Sequence, residues 1–202
     1  PLGHGICLSV SWCFEMAPRD LPALSLVAGV AVAGVLGEVG VHGVQLKWPN
    51  DIVAAGGKLG GILVEVAGEP GGPLRAVVGI GLNVRPVVGI AAALREEGGN
   101  LPARAIDDLT GGRRLPRNEL VGALLNALCR SLRTFGETGF HDFLPAWRGH
   151  DCLAGRQVVV TRGQESFAGV ACGLADDGAL LVDRDGSIVP VVARAVSLRA
   201  PG

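Results

Sequence analysis

Residues 45–66 read QLKWPNDIVAAGGKLGGILVEV, and this stretch governs how the rest of the chain is interpreted. It predicts a short strand that ends at Pro49, because proline cannot donate a hydrogen bond to a neighbouring strand. Residues 50–51 then follow in a turn, and residues 59–66 predict the next strand. Lys58 stands among glycines and aliphatic residues, where an ammonium loses solvation unless an anion meets it. The stretch therefore raises the question of which anion Lys58 serves.

Strands are predicted on both sides of this stretch. Residues 5–14, GICLSVSWCF, alternate between apolar and small side chains, as one face of a strand requires. The face that carries Ser9 either lines a cavity or lies half exposed to solvent, and the residues alone leave both open. Residues 75–84, RAVVGIGLNV, predict a further strand, and its short connection to residues 59–66 predicts antiparallel pairing.

Helices and a second group of strands complete the predicted organisation. Residues 21–37 carry no charge, and we interpret them as a buried core helix, not as a membrane span of about 17–25 residues. Helices within residues 118–147 are expected to cover one face of the sheet. From residue 155 onward the chain consists of short apolar runs and tight turns, which predicts a small SH3-like β-barrel. The expected domains are therefore residues 1–150 and 151–202.

Composition limits the classes of function. The 202 residues are 49% hydrophobic with a net charge of −1, which favours a sizeable core and gives no basic surface for nucleic acid. The five cysteines contain no CxxC pair, and the four histidines show no metal-binding spacing. We therefore predict neither a disulfide framework nor a structural metal, and a reducing, cytoplasmic location.

Two groups of residues could carry chemistry. Gly79, Gly81 and Asn83 alternate onto one face of their strand, which predicts either a flat pocket floor or a site of close packing under a bulge or helix. Residues 47–51 combine a lysine, an asparagine and an aspartate, a set that suits a phosphate ester and its Mg²⁺. The alternative for residues 47–51 is an ordinary solvated turn.

Taken together, these segments resemble a known family. KWPND, then KLGGILVE after a short gap, and later GIGLN have the order and spacing found in biotin protein ligases. The resemblance extends over essentially the whole chain, to the terminal SLR. It implies an α+β fold with a mixed, largely antiparallel sheet covered by helices, as in class II aminoacyl-tRNA synthetases, followed by an SH3-like β-barrel.

The resemblance also implies roles for individual residues. Lys58 matches the family's catalytic lysine, which contacts the carboxylate of biotin and the phosphate of the adenylate. The positions that match the biotin site are Ser9, Lys58, Gly61, Leu63, Gly79 and Gly81. The positions that match the ATP and Mg²⁺ side are Lys47, Asn50, Asp51, Asn83 and Arg199. Cys7 stands where the family often has an aromatic residue.

The implied reaction is ATP-dependent attachment of biotin to a lysine of a biotin carboxyl carrier domain, through biotinyl-5′-AMP. A lipoate or octanoate ligase of related fold is an alternative, and a non-catalytic biotin-binding module is another. In the family, a Gly/Arg-rich loop, GRGRxGRxW, precedes the strand that corresponds to residues 5–14. The present sequence does not contain this loop, so we expect the catalytic domain to be truncated at its N-terminus. No nucleic acid and no membrane are expected as partners, and exposed sheet edges allow a homodimer.

Overall fold

The computed structural model describes residues 3–68, 72–86, 101–111, 113–162, 164–193 and 196–199. The strands are β1 (Gly5–Phe14), β2 (Val44–Lys47), β3 (Asp51–Ala54), β4 (Gly57–Gly68), β5 (Leu74–Asn83), β6 (Gln157–Arg162), β7 (Glu165–Leu174), β8 (Leu180–Arg184), β9 (Ser187–Val191) and β10 (Val196–Arg199). The helices are α1 (Leu24–Glu38), α2 (Ile106–Leu109), α3 (Arg117–Thr138) and α4 (Leu144–His150), with 3₁₀ turns at Leu21–Ala23 and His141–Phe143. Two antiparallel sheets and a helical layer result.

The first sheet has the strand order β1-β5-β4-β3-β2, with every neighbouring pair antiparallel, so the predicted α+β class with an antiparallel sheet is confirmed. Strand β3 was not predicted. Asp51 was expected in a turn, but it is the first residue of β3 and pairs with Lys47 on one side and Gly61 on the other. Pairing on both sides, which is a tertiary effect, extends the strand to Asp51 and confines the turn to residues 48–50.

The helical layer covers one face of this sheet, as predicted. A Cβ added to Gly29 in the middle of α1 would lie 3.3 Å from a methyl group of Leu46 in β2, so the glycine allows α1 to approach the sheet closely. Helix α3 packs beside α1, and the ring of Phe135 meets the ring of Phe14 edge-on with centroids 6.1 Å apart. Leu21–Glu38 has the length and hydropathy of a membrane span, but 56% of it is buried within the protein. This agrees with a core helix.

The second sheet has the order β10-β6-β7-β8-β9, again with antiparallel neighbours. The short strands and the tight turn at Asp185–Gly186, where both residues have positive φ, agree with the sequence. The predicted closed SH3-like barrel is not seen. Within the described residues β9 and β10 are the two edges of an open sheet, because no ladder of hydrogen bonds joins them.

The β7–β8 connection packs directly on the first sheet's helical layer. The indole Nε1 of Trp48, a side chain that is only 2% exposed, donates a hydrogen bond of 3.0 Å to the carbonyl of Gly178. A Cβ on Gly178, which has φ +83°, would lie 2.6 Å from the Cβ of Ala23. Buried side chains of both sheets form one continuous core. The domain boundary after residue 150 stays a prediction.

We expect Trp48→Phe to lower the free energy of unfolding by about 1–2 kcal/mol, because the buried carbonyl of Gly178 loses its donor while most of the aromatic packing remains. Urea denaturation monitored by circular dichroism measures this change. Trp12→Phe is the matched control, since the Trp12 indole makes no hydrogen bond within the described part of the chain and is only partly buried. An equal loss in both variants would contradict the assigned role of this bond.

Candidate functional site

The cross-strand register brings the predicted site residues into two adjacent rows on the sheet face opposite the helices. One row runs from Cys7 in β1 through Gly81 and Gly61 to Asp51 and Lys47 in β2. The other consists of Ser9, Gly79 and Leu63. Along β5 the residues between these positions are buried under the helices, whereas Gly79, Gly81 and Asn83 are half-buried.

The glycines of these rows leave the sheet surface open. A Cβ added to Gly81 would meet no atom of the described residues closer than the carbonyl oxygen of Gly61, at 3.9 Å. At Gly79 the nearest such atoms are the carbonyl oxygen of Leu63 at 3.6 Å, its Cβ at 3.8 Å and the Oγ of Ser9 at 4.0 Å. Close packing therefore does not require glycine at Gly79 or Gly81. Their geometry agrees with a flat floor that a ligand could cover.

Gly60 differs from these glycines. A Cβ there would lie 2.3 Å from the carbonyl oxygen of Gly81 and 2.8 Å from a methyl group of Leu82. Gly60 is therefore required by the packing of β4 against β5, whereas its neighbour Gly61 faces the open surface. This distinction separates a structural glycine from a floor glycine within the same GG pair, and the sequence alone does not reveal it.

A β-bulge turns Lys58 onto the open face. Lys58 and Gly61 are three residues apart, so in a regular strand their side chains would point to opposite faces. The β3–β4 register, however, shifts between Ile52 and Val53, and Leu59, which is fully buried, takes up the extra position. Both Lys58 and Gly61 consequently face away from the helices. A Cβ on Gly61 would lie 3.7 Å from the Nζ of Lys58.

The ammonium of Lys58 has a carboxylate partner inside the site. Its Nζ lies 2.5 Å from the Oδ1 of Asp51, and the two side chains are 43% and 22% exposed. Asp51 is fixed on β3 opposite Gly61, so the pair stands at the end of the glycine floor. The predicted cation is thus present at the floor, partly open to solvent and able to meet an anion placed there.

The backbone around Lys58 is held by a segment that the sequence did not identify. The N–H of Lys58 donates to the carbonyl of Pro102 at 2.7 Å, and the N–H of Arg104 donates to the carbonyl of Lys58 at 2.8 Å. The amide Nδ2 of Asn83 donates to the same carbonyl at 3.4 Å. A Cβ on Gly57 would lie 2.4 Å from the Pro102 oxygen, which explains the glycine before Lys58. Nothing in the sequence indicated this pairing, because it joins segments that lie far apart along the chain.

Asn50 stabilises the turn between β2 and β3. Its side-chain Nδ2 donates to the backbone carbonyl of Ile62 at 2.9 Å, and the backbone carbonyl of Asn50 accepts from the N–H of Ile62 at 2.9 Å. Ser25 at the start of α1 donates to the carbonyl of Pro49 at 3.1 Å, and the Trp48–Pro49 peptide bond is cis. A cavity of about 340 Å³ adjoins this turn, with Asn50 and Leu63 among its walls. The turn is therefore rigidly tied to both the sheet and α1.

Lys47 lies at the outer end of the first row, near the link to the second sheet. Burial raises the pKa of the Asp151 carboxyl, although a hydrogen bond from the N–H of Leu153 acts in the opposite direction. Burial also raises the pKa of the Cys152 thiol, and the charge of Asp151 adds to this effect while the charge of Lys47 opposes it. Lys47 is thus close enough to act electrostatically on the linking segment.

Two predicted positions need separate mention. Arg199 ends β10, opposite Val159 of β6, but its side chain lies outside the described residues. Cys7 is an exposed free thiol on the open face, opposite Gly81. Within the described residues no three His, Cys, Asp or Glu side chains lie close enough together to hold a metal ion by themselves.

Comparison with known proteins identifies the family. Residues 3–83 match the Biotin/lipoate A/B protein ligase family, and residues 154–199 match the Biotin protein ligase C terminal domain. The chain is 34% identical over 200 residues to the Bifunctional ligase/repressor BirA of Escherichia coli (strain K12), covering 99% of this chain and 60% of that protein. It is 35% identical over 175 residues to the Biotin--[acetyl-CoA-carboxylase] ligase of Mycobacterium tuberculosis, covering 84% of this chain and 60% of that protein.

A solved structure agrees with these relatives. The biotin protein ligase from Aquifex aeolicus in complex with biotin and ATP superposes with a TM-score of 0.79 at 25% identity, covering 98% of this chain and 79% of that chain. The present chain spans about 60% of the length of the curated relatives described above. Two family models, one over residues 3–83 with the glycine floor and one over residues 154–199 in the second sheet, both include biotin protein ligases. The chain therefore belongs to the biotin protein ligase family.

Proposed function

We propose that this chain forms the catalytic site of a ligase that uses ATP to attach biotin to a lysine of a biotin carboxyl carrier domain. The observation that carries the proposal is the ammonium of Lys58, which stands at the end of an open glycine floor with its Nζ 2.5 Å from Asp51. The open floor suits the fused rings and the aliphatic chain of biotin, and the ammonium suits its carboxylate. The family membership supports the same assignment.

The first step joins biotin to AMP. An oxygen of the biotin carboxylate attacks the α-phosphorus of ATP, a new O–P bond forms, and pyrophosphate leaves with the electrons of the broken P–O bond. Lys58 offsets the negative charge on the reacting carboxylate and phosphate oxygens. At an effective dielectric of about 20, two unit charges about 4 Å apart interact by about 4 kcal/mol, and the partial exposure of Lys58 reduces this figure. Positioning and charge stabilisation are thus its contribution.

The second step transfers biotin to the acceptor. The uncharged ε-amine of the carrier's lysine attacks the acyl carbon of biotinyl-5′-AMP, an amide bond forms, AMP leaves, and the amine loses a proton. Ser9, Gly61, Leu63, Gly79 and Gly81 are the residues we assign to the biotin side of the site. Lys47, Asn50, Asp51, Asn83 and Arg199 are those we assign to the nucleotide side. The mixed anhydride is already activated, so this step needs mainly alignment of the amine.

The donor set at the site fits a magnesium ion. Mg²⁺ is usually held by one or two carboxylates together with substrate phosphates, and Asp51 supplies one carboxylate next to the predicted phosphate position. When bound there, the ion would neutralise phosphate charge. The amides of Asn50 and Asn83 each donate one hydrogen bond to a backbone carbonyl, so their side-chain oxygens and their second N–H groups keep capacity for further contacts.

The decisive experiment compares acids in an ATP–pyrophosphate exchange assay, because a lipoate or octanoate ligase is the rival within the same broad family. We expect exchange to depend on biotin and to be insensitive to lipoate and octanoate. Exchange that follows lipoate would assign the chain to the rival activity. Thermal stabilisation by biotin with no exchange for any acid would indicate a non-catalytic biotin-binding module.

Partner and location belong to the same proposal. The macromolecular substrate would be a biotin carboxyl carrier protein or domain, which a reducing cytoplasm would contain together with ATP. All five cysteines lie in the described part of the chain as free thiols, which suits that compartment. A homodimer formed through an exposed sheet edge is a further proposal, and sedimentation velocity in the presence and absence of biotin would test it.

A further inference from the structure

Asp51 occupies the position from which a substrate carboxylate would contact Lys58. Its Oδ1 lies 2.5 Å from the Nζ of Lys58, so the two side chains are in direct ion-pair contact. The side chain of Asp51 is less exposed than that of Lys58, and β3 holds it opposite Gly61 through regular strand pairing. The backbone that carries this carboxylate is therefore fixed by the sheet, and Lys58 reaches it with the longer and more exposed side chain.

We infer that Asp51 is an internal counter-ion that an acidic substrate must displace from Lys58, and that it thereby sets which acids the site accepts. The inference rests on the proposed function, in which Lys58 binds the carboxylate of biotin. An ammonium has three donors and could touch two carboxylates at once. Two carboxylates sharing one site repel each other, however, so the contact with Asp51 and the contact with a substrate acid oppose one another.

Lys47 offers Asp51 another partner when the substrate arrives. The two residues are direct neighbours across the β2–β3 ladder, so their Cβ atoms lie within about 4.5–5.5 Å. Asp51 thus stands beside two lysines on the open face of the sheet, its ion-pair partner Lys58 and its cross-strand neighbour Lys47. This arrangement allows displacement without leaving a carboxylate unpaired.

Displacement makes the site selective. A small acid such as acetate has only its carboxylate to offer, and this group must compete with a carboxylate that is already in place. Biotin adds the binding of its ring system and chain over Gly61, Gly79 and Gly81, which compensates for the lost ion pair. The cost of displacing Asp51 is the same for every acid, so only acids that also bind the floor bind in spite of it.

The test is calorimetric titration of the complete protein with biotin and with biotinamide, in EDTA and without ATP, so that metal binding by Asp51 plays no part. Three proteins are compared: the unmodified protein, Asp51→Asn and Glu65→Gln. Glu65→Gln is the matched control, because this substitution also removes one negative charge, from an exposed position of β4 on the same face of the sheet as Gly61. We expect Asp51→Asn to bind biotin about three- to five-fold more tightly, the upper range for a partly exposed ion pair.

The uncharged amide should bind Asp51→Asn and the unmodified protein equally, and Glu65→Gln should change neither affinity. Unchanged or weaker biotin binding by folded Asp51→Asn overturns the inference, as does an equal gain for biotinamide or for Glu65→Gln. Asp51→Ser is the second variant, and it should reproduce the gain if the asparagine side chain perturbs folding. Failure of the unmodified protein to bind biotin would instead refute the proposed function, and the inference with it.

Discussion

Lys58→Ala is expected to slow biotin-dependent ATP–pyrophosphate exchange by about 100- to 1,000-fold, the range found when a single preorganised charge or donor is removed from a reacting centre. The fold should persist. Lys58 is 43% exposed at its side chain, and the hydrogen bonds that anchor this point of the sheet are made by its backbone to Pro102 and Arg104. A loss of activity with an unchanged melting temperature would therefore report on chemistry and not on folding.

Lys58→Arg provides the control for charge. It keeps a cation at the same place, but the planar guanidinium is larger and cannot reproduce the point charge of an ammonium. We expect partial exchange activity, above that of the alanine variant and below that of the unmodified protein. If Lys58→Ala exchanged pyrophosphate at an undiminished rate in the complete protein, Lys58 would have no catalytic role, and another cation would have to be sought.

Much of the fold could be predicted from the sequence because periodicity reports directly on which face is buried. The alternation over residues 5–14 corresponds to β1 at Gly5–Phe14, and the uncharged run after residue 21 corresponds to the buried helix α1. The glycines two apart in β5 fall on one face, because alternation in a regular strand depends only on local geometry, but the sequence left open whether that face was open or closely packed.

The rest depends on pairing between distant segments, which a single sequence does not encode locally. The bulge at Leu59 decides which face receives Lys58, and it is defined only by the register of β3 against β4. The contacts of Pro102 and Arg104 with Lys58 join segments separated by more than forty positions in the sequence. The open second sheet, predicted as a closed barrel, has the same cause, because closure requires pairing between β9 and β10 and strand count alone cannot specify it.

Gly81→Val is expected to weaken biotin binding by roughly 10- to 100-fold, because the new side chain would occupy the volume above the floor where we place the ligand. The variant should fold. The nearest atom of the described residues to an added Cβ is the carbonyl oxygen of Gly61 at 3.9 Å, and valine is more compatible with a strand than glycine. Calorimetric titration with biotin measures the loss, and thermal unfolding should show a melting temperature equal to or above that of the unmodified protein.

Gly60→Ala is the control for Gly81→Val. It replaces a glycine of the same sheet that is required by packing, whereas the position of Gly81 has space for a side chain. The Cβ added at Gly60 would lie 2.3 Å from the backbone oxygen of Gly81, so the strands must separate, and we expect a lower melting temperature. The two variants should therefore differ in what they lose. Gly81→Val should lower the affinity for biotin without lowering the melting temperature, whereas Gly60→Ala should lower the melting temperature. Normal biotin binding by folded Gly81→Val would mean that the ligand does not lie on this floor, whatever the role of Lys58.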